Sequence, residues 1–508
     1  MAIYRYAAYP EAKVYDASKS RQINHLLFGD WVRVEGDVDA GWVPVHVRGT
    51  DGFMREDTLQ EERTLEVVFT DVGQGDGCLL VTPGDKHFVI DAGISDNMYR
   101  FLKWRYGGFR KKWTFEAAII SHPDQDHYGG FEKFFTEPNV HFNGVYHNGI
   151  MEERTSNQPL GPIENIGDRK FLIGLIERQN DLAAFLADTP RWRHPQNAAW
   201  DKKYPSLLND ALTSGRVGNI EMLARFDDAD PFLPGYSEDQ ELSIEILGPV
   251  VERDGQRAML RAFGETPQSK SFDAGKTKNG HSVILLVRYR DVRLLLGGDL
   301  NTAAEVFLMQ QYAGIEHDYP WTAAQQEQMV HAARPFFEAD IAKACHHGSS
   351  DFTDAFIRTV NAAATVISSG DEESHAHPRP DTLGALGLHG RGARPLLFCT
   401  ELMRSTREDE GSLEVEIGRL RERLAEAEGE EDAAEVAGIR ALLDAHIDKL
   451  LERNVTVYGS INLRTDGQRT IMAYKLERER RYANALEKWD IYRLEAEGNG
   501  PVVYKPEK

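Results

Sequence analysis

A chain of 508 residues is too long for one compact domain, and a 41% hydrophobic content supplies apolar surface for about two or three buried cores. The formal net charge of −22 argues against broad electrostatic attraction to nucleic acid, while leaving room for a local basic groove. No apolar run is long enough to span a bilayer, and the N-terminus lacks the basic start and apolar core of a secretory signal. Cys78, Cys345 and Cys399 are too scattered for a disulfide framework or a CxxC zinc motif. A soluble cytoplasmic protein with no membrane partner is the expectation.

Residues 1–60 alternate apolar and polar positions between turn signals, as in GDWVRVEG, AGWVPVHVRG and TDGFMREDTL, and predict a small all-β antiparallel barrel. The pattern GDWVRV…GWVPVHVRGTDGFM resembles bacterial Src-homology-3-type domains, which implies a peptide or protein partner. A barrel that only packs against the larger domain accounts for the same text.

The main domain is expected over 63–475. From Leu65 the chain alternates LEVVFTDVG, CLLVTP, HFVIDAG, a helix over 95–106, FEAAIISH, a helix over 129–136 and VHFNGVYH, an α/β succession. Polar, helical text over 151–240, with Trp192 and Trp200, reads as an insertion. Strands resume at LSIEILGP, HSVILLVRY, VRLLLGGDL, DIAKACHHGS and ATVISSG. Residues 405–453 predict a helical hairpin: Leu413, Ile417, Leu420 and Leu424 keep helical spacing, as do Val436, Ile439, Leu443, Ile447 and Leu450, with GEED between the runs. That stripe suits packing or a homodimer seam. A strand pair turning at Asp466-Gly467 closes the domain, and 476–508 reads as a charged tail that begins as a helix.

Chemistry concentrates in SHPDQDHYGG at 121–130, where one loop delivers His122, Asp124, Asp126 and His127. Imidazole and carboxylate are ordinary ligands of zinc, manganese or iron, and this spacing lets one loop serve two ions. The string nearly spells HxHxDH, with Asp124 where the second histidine belongs. LLLGGDL ends an apolar strand at Asp299, a carboxylate that is expensive there unless bound. KACHHGSS adds His346 and His347, and SHAHP adds His375 and His377. Each fragment alone has a bland reading, such as surface histidines for SHAHP. All of them in this order at strand ends do not.

FTDVGQGDG, HFVIDAG, SHPDQDHYGG, NGHSVILLV…LLLGGDL, CHHGSS and SHAHP together resemble the metallo-β-lactamase fold, and more narrowly the hydrolase domain of the ComEC DNA-uptake proteins. The resemblance runs over 65–400 and 455–475. It implies a four-layer αββα sandwich and two divalent metal ions, zinc or manganese. By it, His122 and Asp124 would hold one ion, Asp126 and His127 the other, and Asp299 would bridge them. One of His346 and His347, with His347 preferred, would complete the second site. Asp91 matches the family's orienting aspartate, and Asp76 is expected close by. The third histidine of the wider fold has two candidates, His147 and His281, the latter better suited to contacting substrate. Asp at position 124 marks the ComEC-like branch; its hard oxygen donor shifts preference towards manganese. Asp126 would share in catalysis through its ion, and His346, His375 or His377 could protonate the leaving group.

In YRFLKWRYGGFRKKW (99–113), cations interleave with aromatics without one acid. Arg100, Lys103, Trp104 and Arg105 are therefore candidate contacts for a DNA substrate, since cations track phosphates and rings stack on bases. An amphipathic helix with buried rings explains the stretch equally well. The reading is a metal-dependent hydrolase, a phosphodiesterase or nuclease acting on DNA. The alternatives are a small-substrate hydrolase of the same fold (phosphorylcholine or cyclic-nucleotide phosphodiesterase, thioesterase or lactamase-like) and a metal-containing scaffold.

Overall fold

Strands buried on both faces call for near-continuous apolar text, which Gly77–Val81 supplies throughout and His87–Ala92 supplies except at His87 and Asp91. The computed structural model describes residues 3–155, 157–227, 229–255, 257–370, 375–403, 410–429, 433–452, 455–496 and 501–506. Among these, a ten-stranded sheet and a six-stranded sheet carry the main domain. Phe69, Leu80, Phe88 and Ile119 of the first pack against Leu285, Val287, Leu294 and Val366 of the second, forming a core between them. On the outer face of the larger sheet lie the helices Asn97–Arg105, Phe131–Thr136 and Lys203–Thr213. The smaller sheet is covered by Thr302–Ala313 and Ala323–Phe337.

Residues 3–60 form a separate seven-stranded sheet around Ala12, Val14, Leu26, Val32, Val45 and Met54. The 151–240 stretch supplies the strand pair Ile163–Ile166 and Arg169–Ile173. This pair joins Arg257–Arg261 and Glu252–Asp254 in a four-stranded sheet, so the added unit borrows strands from beyond residue 240. Helices Glu410–Gly429 and Ala433–Glu452 pack on each other through Leu420, Leu424, Val436, Ile439 and Leu443. The 430–432 turn and the side chains of Leu413 and Leu450 lie outside the described residues.

The end of the chain corrects the expectation of a charged helical tail. Thr470–Tyr482 and Ala485–Ala496 pair as long antiparallel strands, and Val502–Tyr504 adds a third. Ile471, Met472 and Ala473 of the first strand and Leu486, Trp489 and Leu494 of the second are buried, so apolar anchors scattered through the charged text hold it as a strand pair. Trp489 packs with Leu27, Phe28 and Ile471, and its Nε1 donates to the His25 carbonyl at 3.3 Å, which docks the N-terminal sheet.

Beside this junction, Arg464 is buried between Asp30, 3.8 Å away, and Glu66, which it contacts directly. Replacing Arg464 with alanine would leave Asp30 to Arg48 and Glu66 to Arg105 alone. We expect a loss of about 1–3 kcal/mol, read as a lower urea midpoint.

Candidate metal centre

Parallel strands in both sheets end at one edge of the molecule and bring their loops together there. Asp91 closes the strand His87–Ala92, and 121–127 follow Trp113–Ile119. Asp299 follows Val292–Leu296, and His346 and His347 follow Ile341–Lys343. Gly75 has φ +93°, and a Cβ there would lie 1.6 Å from the Asp126 carbonyl oxygen, so GQGDG can lie on the metal loop only as glycine. The Asp76 N–H then donates to that same carbonyl at 3.2 Å. Asp91, His346 and His347 hold φ values of +53°, +48° and +52°, left-handed strain of the kind that gathers at functional sites.

The geometry converges on one point. His127 turns Nδ1 to Asp91 Oδ2 at 2.8 Å, and His347 places Nδ1 3.1 Å from Asp76 Oδ1. Their Nε2 atoms face each other at 3.3 Å, and Asp299 Oδ2 lies 3.3 and 3.2 Å from them. Asp126 Oδ2 is 3.8 Å from His347 Nε2. Two imidazole lone pairs and a carboxylate aimed at one point repel unless a cation stands between them. Burial disfavours charge on His127, yet Asp299 and Asp91 raise its pKa well above the ordinary histidine range. Burial likewise opposes charge on His347, yet Asp299 and Asp76 raise its pKa to about 10. The cluster therefore demands positive charge, and a divalent metal satisfies it. Asp76, His127, Asp299 and His347 form a buried potential metal-binding group. Within it we assign Asp76 to orienting His347, because its other oxygen is held by the Lys343 ammonium.

The other half is built differently. His122 Nδ1 is met by Ser121 Oγ at 3.0 Å and Ser282 Oγ at 3.2 Å. Its buried Nε2 has no hydrogen-bond partner and lies 3.4 Å from Asp124 Oδ2 and 4.0 Å from Asp299 Oδ2. An unsatisfied nitrogen facing two carboxylates fits a second ion. Asp124 Oδ1 pairs with Lys278, and Asp124 Oδ2 accepts from the Asn279 amide at 2.8 Å. Both come from the helix Ala274–Gly280 and its last turn.

A cavity of about 300 Å³ opens onto these groups, lined by Gln74, Asp124, Asp126, Asp299, His346 and His377, with His375 at its wall. His346 Nε2 is 3.9 Å from Asp299 Oδ2, and the His377 ring stands 5.7 Å from the His346 ring.

Two expectations are corrected. His281 faces away: its Nε2 sits 2.7 Å from the Arg261 carbonyl and its ring stacks on Phe263, because a buried carbonyl there needs a donor. Its rival His147 is buried with Nδ1 accepting from the Gly149 N–H at 3.0 Å; its Nε2 has no hydrogen-bond partner, and it is not part of the group that gathers around Asp299. In the basic stretch Arg110, Lys111 and Lys112 are exposed, but the cations expected to contact substrate are spent internally. Arg105 pairs with Glu66 at 2.7 Å, Lys103 lies 2.9 Å from the Tyr99 hydroxyl, and Arg100 bonds Asn97 at 3.4 Å. Neither these three nor Trp104 lines the cavity. Sequence reasoning passed over Lys343, although a lysine inside the wholly buried strand IAK beside CHH was a legible signal. Ser282 lies within NGHSVILLV without a role being legible there, and nothing in the sequence marked Lys278.

Asp91→Asn keeps shape but weakens the grip on His127. A fall of about 10–100-fold in metal affinity is expected, measured by competition with a chromophoric chelator.

The model of the metallo-beta-lactamase superfamily matches residues 77–160, which hold Asp91 and the whole 122–127 loop. The chain carries a metallo-beta-lactamase superfamily domain, and with the buried centre this defines a metal-dependent enzyme of the hydrolase class. Among solved structures, a mutant of the CmlA beta-hydroxylase is similar at 10% identity and a TM-score of 0.30. That match covers 66% of this chain and 53% of that one, so the chain spans about half the length of that protein. No curated protein matches the chain.

Proposed function

We propose that this protein is a dinuclear phosphodiesterase acting on DNA in the cytoplasm, built as the four-layer sandwich that the ComEC-like motif order implies. The observation that carries the hydrolytic reading is the convergence of His127 Nε2, His347 Nε2 and Asp299 Oδ2 within 3.3 Å at the wall of an open cavity. Asp126 would complete that ion's ligands, while His122, Asp124 and Asp299 would hold the second, with manganese or zinc as the metal. Bound ions would supply Lewis acidity towards a phosphoryl oxygen and an activated water. The chain's own residues do the rest. Asp91 and Asp76 hold the Nδ1 sides of their histidines, which leaves Nε2 free to bind. Lys343 offsets the charge of Asp76 and Asp299. His346 and His377 can hold a proton near the leaving oxygen. The free thiols of Cys78, Cys345 and Cys399 suit a reducing compartment, and among the described residues no helix is long and apolar enough to cross a membrane.

The cavity volume, about 300 Å³ and at the low end for ligand sites, favours a small-substrate hydrolase as the second reading. Incubation of the metal-loaded protein with bis-p-nitrophenyl phosphate and with labelled single- and double-stranded DNA separates the two, using Asp126→Ala as control. Cleavage of DNA that the control loses supports the proposal. Turnover of small esters alone transfers the weight to the second reading.

A further inference from the structure

No residue of the 99–113 stretch lines the metal cavity, whereas the added segment before residue 204 reaches it directly. Tyr204, buried at the start of the helix Lys203–Thr213, packs its ring 5.0 Å from Tyr128 of the metal-loop helix Gln125–Tyr128. Next to it, the Lys203 ammonium donates to Gln125 Oε1 at 3.3 Å, and Gln125 lines the cavity with Asp124, Asp126 and Asp299. The neighbouring backbone is anchored from below: Lys202 N–H donates to the carbonyl of fully buried Trp192 at 2.7 Å. On this rim Trp200 is 64% exposed, more than Trp31 or Trp104, and its ring meets the edge of His194 at 4.9 Å. The one acid between the indole and the lysines, Asp201, is answered by Arg193 at 3.4 Å. Neither Lys202 nor Lys203 forms a salt bridge among the described residues, although Lys202 lies close enough to Glu152 to oppose the rise in pKa that burial gives that carboxyl, in a chain of net charge −22.

We infer that Trp200, Lys202 and Lys203 form a binding rim for single-stranded DNA at the mouth of the metal cavity. The indole stacks on a base while the lysines hold phosphates. This deepens the phosphodiesterase reading and rests on it for the class of substrate. A single strand is specified because only unpaired bases offer a face to an exposed indole, whereas a duplex hides them.

The test is fluorescence anisotropy of the metal-loaded full chain with a labelled phosphorothioate oligothymidylate of about twelve nucleotides. That strand resists cleavage, so a failure to hydrolyse any diester, which would sink the phosphodiesterase reading, leaves this result readable. Trp200→Ala is expected to weaken binding about tenfold. Lys202→Ala/Lys203→Ala should weaken it similarly and reduce the slope of log K against log salt by about 1.4. Trp104→Ala, exposed but away from the cavity lining, should bind as wild type. Circular dichroism guards against misfolding, and both rim substitutions lie on the surface. Wild-type affinity in the rim variants, tighter binding of duplex than of single strand, or a larger loss in Trp104→Ala would each overturn the inference.

Discussion

Asp299→Ala is expected to strip the protein of metal and to lower kcat/KM on a phosphodiester by on the order of a thousandfold or more. Asp299 Oδ2 lies within 4.0 Å of His122, His127, His346 and His347 alike, so its loss removes the charge that both halves of the centre share. Burial favours the neutral form of its carboxyl, but His127, His347 and His346 hold its pKa well below the usual carboxylate range. The carboxylate is therefore permanently available to a cation. Its backbone N–H, held by Ser282 Oγ at 3.0 Å, is untouched by the substitution, so the loop keeps its anchor. Two measurements check this without activity. Metal analysis after dialysis should find the variant empty. The melting temperature should cease to rise with added Mn²⁺ or Zn²⁺, whereas wild type gains about 2.7 kcal/mol at a hundred times the dissociation constant. A variant that retains metal and turnover would remove Asp299 from the centre.

The centre was legible because its chemistry is local in sequence. SHPDQDHYGG concentrates ligand types in one turn, and LLLGGD and KACHH place ionisable groups at the ends of apolar strands, where they are costly without a role. KLERERRY shows the limit of charge as a guide: it reads as a solvated helix, yet it continues the strand that begins at Thr470 and pairs with Ala485–Ala496. The basic run 99–113 misled for a different reason. Cations in an acidic protein find carboxylates, and whether Arg105 faces DNA or Glu66 depends on a strand distant in sequence. His281 was misplaced similarly, since its partner is a backbone carbonyl that no motif announces. Lys278 and Asn279, which grip Asp124, come from the far side of the added unit and carry no pattern of their own.

Glu305→Gln is expected to stabilise the protein by a few kcal/mol near pH 9 and to change little near pH 5. Glu305 lies in the first turn of Thr302–Ala313, is 1% exposed, and accepts the Thr353 N–H at 2.6 Å. Burial, against the smaller pull of Thr353, raises its pKa from 4.5 to about 8. The folded protein therefore holds a proton that the unfolded chain has already released between those two values. The stability contributed by the neutral acid is complete below the unfolded value of 4.5 and declines as pH rises, and the loss is complete once pH passes about 8. At about 1.4 kcal/mol per unit, the window is worth several kcal/mol as an upper bound. Glutamine keeps an oxygen for Thr353 and carries no charge, so thermal melts from pH 5 to 9 should be flatter in the variant. Alanine instead leaves the Thr353 N–H unpaired and should cost about 1–3 kcal/mol at every pH, which separates the lost hydrogen bond from the buried charge. Because Thr353 closes the segment that follows His347, ionisation of Glu305 should loosen the chain behind the metal loop first. Hydrogen exchange at 349–353 should accelerate in wild type above pH 8 relative to the glutamine variant, after correction for the intrinsic pH dependence. Parallel melts and unchanged exchange would mean that Glu305 is already ionised at neutral pH.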